Sequence, residues 1–225
     1  MLLTCIVPDL VWHAQQPLKF GPISLTTRMT VIRLQDGTLW VHSPISPTIE
    51  LVEDLQKIGT VSYVVAPNKS HHLFFLSFLN VFPSAQAFIA AGLQIKRPEL
   101  SQFPAISDEG PWRYDIQSFF IEGLPLLNET VFFHTASGTL ILTDLLFYFA
   151  NTNKGLAALI TKLLGVRGQL GMSRTMKLAI RDRQALARSV APLLSLPIQR
   201  VIVAHDEIIT EQAAAKLRQA FLFLT

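Results

Sequence analysis

Residues Val61-Ser62-Tyr63-Val64-Val65-Ala66 form a β-branched and aromatic run that stops at Pro67. The polar Asn68-Lys69-Ser70 follows, then His71-His72 and the apolar Leu73-Phe74-Phe75-Leu76-Ser77-Phe78-Leu79. This order reads as strand, polar loop and buried helix. In α/β folds ligands collect beyond the carboxyl ends of strands, and two of the chain's six histidines stand at this one. A loop entering a helix can aim both rings into one cleft, whereas a strand would point them to opposite faces. The same pair also reads as a helix start with one capping and one packed histidine.

The 225 residues, 50% of them hydrophobic, suffice for a substantial core. No linker interrupts them, so residues 1–225 are expected to form a single domain. The apolar runs Leu73–Val81 and Thr139–Ala150 are broken by Ser77 and Asn80 and by Asp144. Neither approaches the roughly 20 residues of a membrane helix, so a chain without a transmembrane segment is expected. Residues 1–7 carry no basic leader before Pro8-Asp9, and the expected location is the cytoplasm. One cysteine excludes an internal disulfide and a cysteine-rich zinc site. Any metal must then be held by histidine and carboxylate.

A meander is expected over residues 10–43, with strands at Val11–His13, Ile23–Thr27, Met29–Leu34 and Thr38–His42 and a turn at Asp36-Gly37. A helix capped by Ser46 and opened by Pro47 should end at Gly59. After the central strand come a strand over Ala85–Ala90 and a proline-rich loop over Arg97–Trp112, of a length often found in lids and rims. Strands then follow at Ile116–Ile121, Thr130–His134 and Thr139–Asp144. Helices are predicted over 145–164 and 173–190, a last strand over Arg200–Ala204, and a closing helix over Glu211–Leu224.

Charge is unevenly placed. Between Lys162 and Arg188 seven basic residues face one acid, Asp182, which gives this segment +6 and the rest of the chain −3 of the net +3. On a continuous helix Arg174, Lys177, Arg181 and Arg188 would share a face, either a solvated one or the rim of a cleft for an anionic substrate. Nucleic acid is not expected, because no binding motif or interleaved aromatic pattern accompanies the charge.

Three apolar strands or hairpins end in a candidate ligand: Ala66 before His71 and His72, Phe133 before His134 with Asp144 across the turn, and Ala204 before His205. Convergent strand ends are how α/β scaffolds assemble metal sites. Asp144, set between Leu142 and Leu145, is costly to bury without a cation or several donors. Metal ligand and satisfied structural acid are the two readings. His13 and His42 read as structural, although His42 ends its own strand near the same place.

This order of elements resembles the metallo-β-lactamase fold, an αββα sandwich of two mixed sheets flanked by helices. The segments Ala66-Pro67-Asn68-Lys69 with His71-His72, Val131–His134 with Thr139–Leu146, and Val201–His205 are similar to those of its DUF4336 branch. The superfamily's His-x-His-x-Asp-His loop aligns with Pro67–His72, where Pro67 and Lys69 replace two ligands of the first metal. The resemblance therefore implies a degenerate first site and a second site made of His71, His72, Asp144 and His205. That site would hold one divalent metal ion, zinc first, with iron, manganese or nickel as alternatives. His134, the usual third ligand of the lost metal, and Lys69 are expected beside it in catalytic roles, with Asp206 as a further proton-transfer group. A hydrolase-like activity on a small, anionic substrate is one implication. A non-catalytic metal- or ligand-binding descendant and a mononuclear iron oxidoreductase are the others.

Overall fold

Side chains alternating along each strand sort the apolar residues into three cores, and these define four layers. In the computed structural model, which describes residues 2–20, 23–149 and 155–224, the chain begins with β1 (Thr4–Val7), β2 (Val11–Phe20), β3 (Ile23–Arg33) and β4 (Leu39–His42). Helix α1 (Ile49–Ile58), β5 (Val61–Ala66), α2 (Phe75–Val81), β6 (Gln86–Ile89) and α3 (Leu93–Lys96) follow. These strands form one sheet in the order β1-β2-β3-β4-β5-β6, antiparallel up to β4 and parallel from β4 to β6.

The second half contains β7 (Ile116–Phe120), β8 (Thr130–His134), β9 (Thr139–Ile141), α4 (Gly155–Leu163), α5 (Arg174–Leu178), α6 (Arg183–Val190), β10 (Arg200–Ile202), β11 (Ile208–Ile209) and α7 (Ala213–Phe221). Its sheet runs β11-β10-β9-β8-β7, with β9 and β10 parallel and the other pairs antiparallel.

Leu39 and Val41 of β4 face the core under α1 and α2, whereas Trp40 between them faces the second sheet. On β8, Val131 and Phe133 face the helices of the second half and Phe132 faces back toward Trp40. Their rings meet edge to face at 4.9 Å, a favoured aromatic geometry. The result is the αββα sandwich of two mixed sheets flanked by helices. No helix among the described residues is long and apolar enough to cross a membrane.

The differences from expectation are local. Helix α1 is capped by Thr48, whose Oγ1 accepts from Leu51 N at 3.4 Å, two residues beyond the expected Ser46. The strands expected at Ile23–Thr27 and Met29–Leu34 are one long strand, because β2 pairs with it along its whole length. Of the helix expected over 145–164, residues 150–154 lie outside the described residues, and 147–149 instead make isolated bridges to Gly171, Asp206 and Arg167. The helix is confined to α4.

The basic helix expected over 173–190 is two helices. Ser173 caps the first through Met176 N, and Asp182 caps the second through Ala185 N. The Gly123 carbonyl accepts from Arg181 N and Asp182 N at the break, so the four basic side chains do not share one helical face.

Candidate metal centre

Parallel pairing of β9 and β10 sets Ile141 beside Ile202. Three residues further along each chain stand Asp144 and His205, so equal extension past equal register brings them together. His205 Nε2 lies 3.2 Å from Asp144 Oδ1. From the other sheet, the loop after β5 brings His71 Nε2 to 3.4 Å from the same oxygen. One ligating atom from each of His71, Asp144 and His205 lies within 4.8 Å of the others.

Both imidazoles are oriented from behind. His205 Nδ1 lies 2.6 Å from the Thr26 carbonyl, which can only accept, so Nδ1 carries a proton. A neutral His205 would then present its Nε2 lone pair to a carboxylate oxygen. A positive charge must lie between them, either a proton or a metal ion. His71 Nδ1 is 2.7 Å from Ser43 Oγ, leaving its Nε2 to face the group. Rear hydrogen bonds that fix tautomer and ring angle are the usual support of ligating histidines. The residues therefore fit a divalent cation.

The electrostatics agree. Burial opposes ionisation of Asp144, but His71 and His205 outweigh it and hold the carboxyl well below the usual carboxylate range. Burial likewise opposes the charged form of His71, and Asp144 with the more distant Glu129 raises it above the ordinary histidine value.

Asp144 is held by a network that sequence patterns did not single out. Asn68 Nδ2 donates to Asp144 Oδ2 at 3.0 Å, to Glu129 Oε2 at 2.9 Å and to Thr143 Oγ1 at 2.7 Å. Its Oδ1 accepts from the Ser70 and His71 amides, both at 2.7 Å, and so shapes the histidine loop. Fully buried Glu129 accepts from the amides of Thr143, Asp144 and Leu145 at 2.7–3.1 Å. Burial first and the Asp144 charge second raise its pKa. Arg28, on β3, donates to the carbonyls of Val203 and Asp206, pinning the His205 segment to the first sheet. The available signals were a lone Asn and Glu beside apolar runs and an Arg inside a strand.

Other predicted residues lie elsewhere. His72 is buried away from the group, its Nδ1 accepting from Arg97 at 3.1 Å. Burial first, then Arg97 and Lys96, push it down to about 4. A turn rather than a helix follows Ser70, so the adjacent rings diverge.

His134 pairs with Thr139 at the turn end of the β8–β9 hairpin, with Nδ1 2.7 Å from Ser137 Oγ. Asp144 leaves the opposite end, five residues or roughly 16 Å along the strand direction. Lys69 Nζ donates to the Pro125 carbonyl at 3.0 Å. Asp206 turns its backbone carbonyl to Arg28 and Gln15. His42 lies in the core between the sheets, stacked on Trp40, and its Nε2 has no hydrogen-bond partner among the described residues.

Over residues 8–177 the sequence matches the family described as a domain of unknown function, DUF4336. The chain belongs to that family. The DUF4336 chain is also similar in structure to a metallo-β-lactamase from Pontibacter korlensis, with a TM-score of 0.66, 14% identity, and coverage of 99% of this chain and 97% of the other. DIM-1 metallo-β-lactamase exposed to ceftazidime gives 0.67 at 12% identity over 99% and 97%, and TMB-1 gives 0.62 at 12% over 97% and 96%. At these identities the likeness establishes the metallo-β-lactamase fold alone. No curated protein matches the sequence.

In this DUF4336 chain the three donor residues open into a cleft of about 490 Å³, within the usual size of a small-molecule site. The β2–β3 hairpin, the histidine loop, α4 and α5 supply walls, and Leu127 stands on the connection between β7 and β8. Neither Lys69 nor any other lysine or arginine lines it among the described residues. The loop over Arg97–Trp112 lies away from it and contributes Ile106, Ser107 and Asp108 to a second cleft of about 540 Å³, which also contains Glu122 and Arg188. That cleft contains no grouping of metal-ligating side chains among the described residues.

Proposed function

We propose that the chain holds one divalent metal ion on His71, Asp144 and His205 and hydrolyses a small substrate in the adjoining cleft. The observation that carries this reading is His205, its Nδ1 committed to the Thr26 carbonyl and its Nε2 aimed at Asp144. Two histidines and one carboxylate form a catalytic zinc set with a position left open; the same set suits ferrous iron. When bound, the ion would polarise a substrate carbonyl and acidify a water.

The chain's own residues prepare that chemistry. Thr26 and Ser43 hold the imidazoles, and Asn68 restrains the free oxygen of Asp144. Phe147 stacks on the His205 ring, and Leu127 lines the same cleft. One site rather than two is supported by the fates of the replaced loop residues. The Pro67 carbonyl accepts from Thr130 N, and Lys69 is tied to Pro125.

A second reading, a non-catalytic binder, is favoured by one observation. Among the described cleft residues, His71, Asp144 and His205 are the only acids or histidines, so no separate general acid or base stands there.

Elemental analysis of protein purified without chelator or histidine tag tests the site, alongside Asp144→Asn and His205→Ala. The expected result is about one equivalent of metal, lost in both folded variants. Protein that neither carries metal nor takes up Zn²⁺, Fe²⁺ or Mn²⁺ overturns the proposal. Metal-loaded protein inert toward ester and amide panels supports the binder instead.

A further inference from the structure

The cleft is chemically asymmetric. At one end stand the His71–Asp144–His205 group and the Ser43 hydroxyl already bonded to His71. The walls leading away carry Leu18, Leu25, Ile160, Leu164, Val166 and Met176. Two hydroxyls of the lining are turned to the protein: Thr161 Oγ1 donates to the Ala158 carbonyl and Ser173 Oγ accepts from Met176 N.

Phe147 and Phe149 line the same space, their rings stacked at 6.2 Å and 10°. Both are nearly parallel to the His205 imidazole, which lies 5.7 Å from Phe147 at 8°. An apolar aromatic wall thus leads directly to the donor group.

This surface selects by charge and by length. Along these walls a substrate anion would leave water without a lysine or arginine among the described residues to meet it. A compact polar molecule would leave the aliphatic walls without a partner. An extended molecule with one neutral polar end satisfies both parts.

We infer that the cleft takes a neutral lipophilic carbonyl compound, an ester or lactone whose apolar chain lies along the Leu18–Leu25 and Ile160–Met176 walls with its carbonyl toward His71 and His205. The position of the carbonyl rests on the proposed metal site, whereas recognition of the chain does not.

The experiment measures binding rather than turnover. Methyl butyrate, hexanoate, octanoate and decanoate, with the corresponding carboxylates, displace a neutral environment-sensitive dye from metal-loaded and metal-stripped protein. Affinity of the esters is expected to rise about threefold to fourfold per added methylene until the cleft is filled, with and without metal. In stripped protein each carboxylate should bind at least about tenfold more weakly than its ester.

Ile160→Trp, at a partly exposed wall position, should shift the optimum to a shorter ester. Met176→Trp provides a second occluding variant if the first does not fold. Affinity independent of chain length, carboxylates preferred in stripped protein, or an unchanged optimum in a folded occluding variant overturns the inference. Chain-length dependence in protein that never binds metal removes the metal proposal alone, and metal uptake without that dependence removes this inference alone.

Discussion

The backbone carbonyl of Thr26 specifies a histidine's protonation by being unable to donate, leaving His205 Nε2 to complete the donor group. Glu129 plays a comparable part for Asp144. Its carboxylate accepts from three consecutive amides, the Asn68 amide and the Thr143 side chain, and so shapes the turn that presents Asp144. Glu129→Gln turns an amide NH₂ toward groups that also donate. The expected outcomes are about 2–3 kcal/mol of lost stability in chemical denaturation and metal affinity about 10–100-fold weaker in folded protein. Unchanged metal affinity alongside the stability loss would limit Glu129 to a structural role. His71, Asp144 and His205 were legible because histidines and a lone acid past apolar strands are local signals. Glu129, Asn68 and Arg28 were not, because their partners are amides or carbonyls brought in from other segments.

Strand existence followed from alternation, and the paired register of β9 and β10 explains a contact that spacing alone could not reveal. Sequence placed His134 and Asp144 on one hairpin, but only the pairing shows that they occupy opposite ends. Helix extent failed where tertiary caps intervene. The break between α5 and α6 depends on Gly123, whose φ of +76° is in the left-handed region and whose carbonyl receives two amides. A Cβ there would lie 2.0 Å from the Asp182 carbonyl oxygen, a backbone atom at the α6 cap. Gly123→Ala is therefore expected to cost about 3 kcal/mol or more, combining left-handed strain with a backbone clash. Urea unfolding checks the size, and a loss below about 1 kcal/mol would show that α6 can move away without consequence. Gly123 lies outside residues 173–190, and within that stretch only the Asp182 cap marks the break, a signal that the basic and apolar periodicity overrides when the stretch is read as one helix.

At the scale of the whole molecule, the two sheets meet through an aromatic core that also encloses a histidine. His42 stacks on Trp40 at 5.6 Å and meets Phe132 edge-on at the same distance. The αββα layering was legible in the order of elements, whereas this histidine's depth was not: a strand-end position signals neither face nor burial. Burial, with His71 as the nearby charge, pushes the His42 pKa down from 6.5 to about 3. The unfolded chain therefore binds a proton between those values that the folded chain refuses. This contribution to stability is whole above pH 6.5 and falls as the medium is acidified toward pH 3, by up to about 1.4 kcal/mol per pH unit. His13, lowered to about 4 by burial and Arg28, acts in the same direction with a smaller effect because it is partly exposed. His42→Phe keeps an aromatic ring in the core and removes the titration. Denaturant midpoints for both proteins from pH 7.5 to 4.5 should diverge below about pH 6.5, the variant losing less stability with each step. Parallel curves would mean that His42 takes up a proton in the folded core as readily as in the unfolded chain, and that the space between the sheets admits solvent.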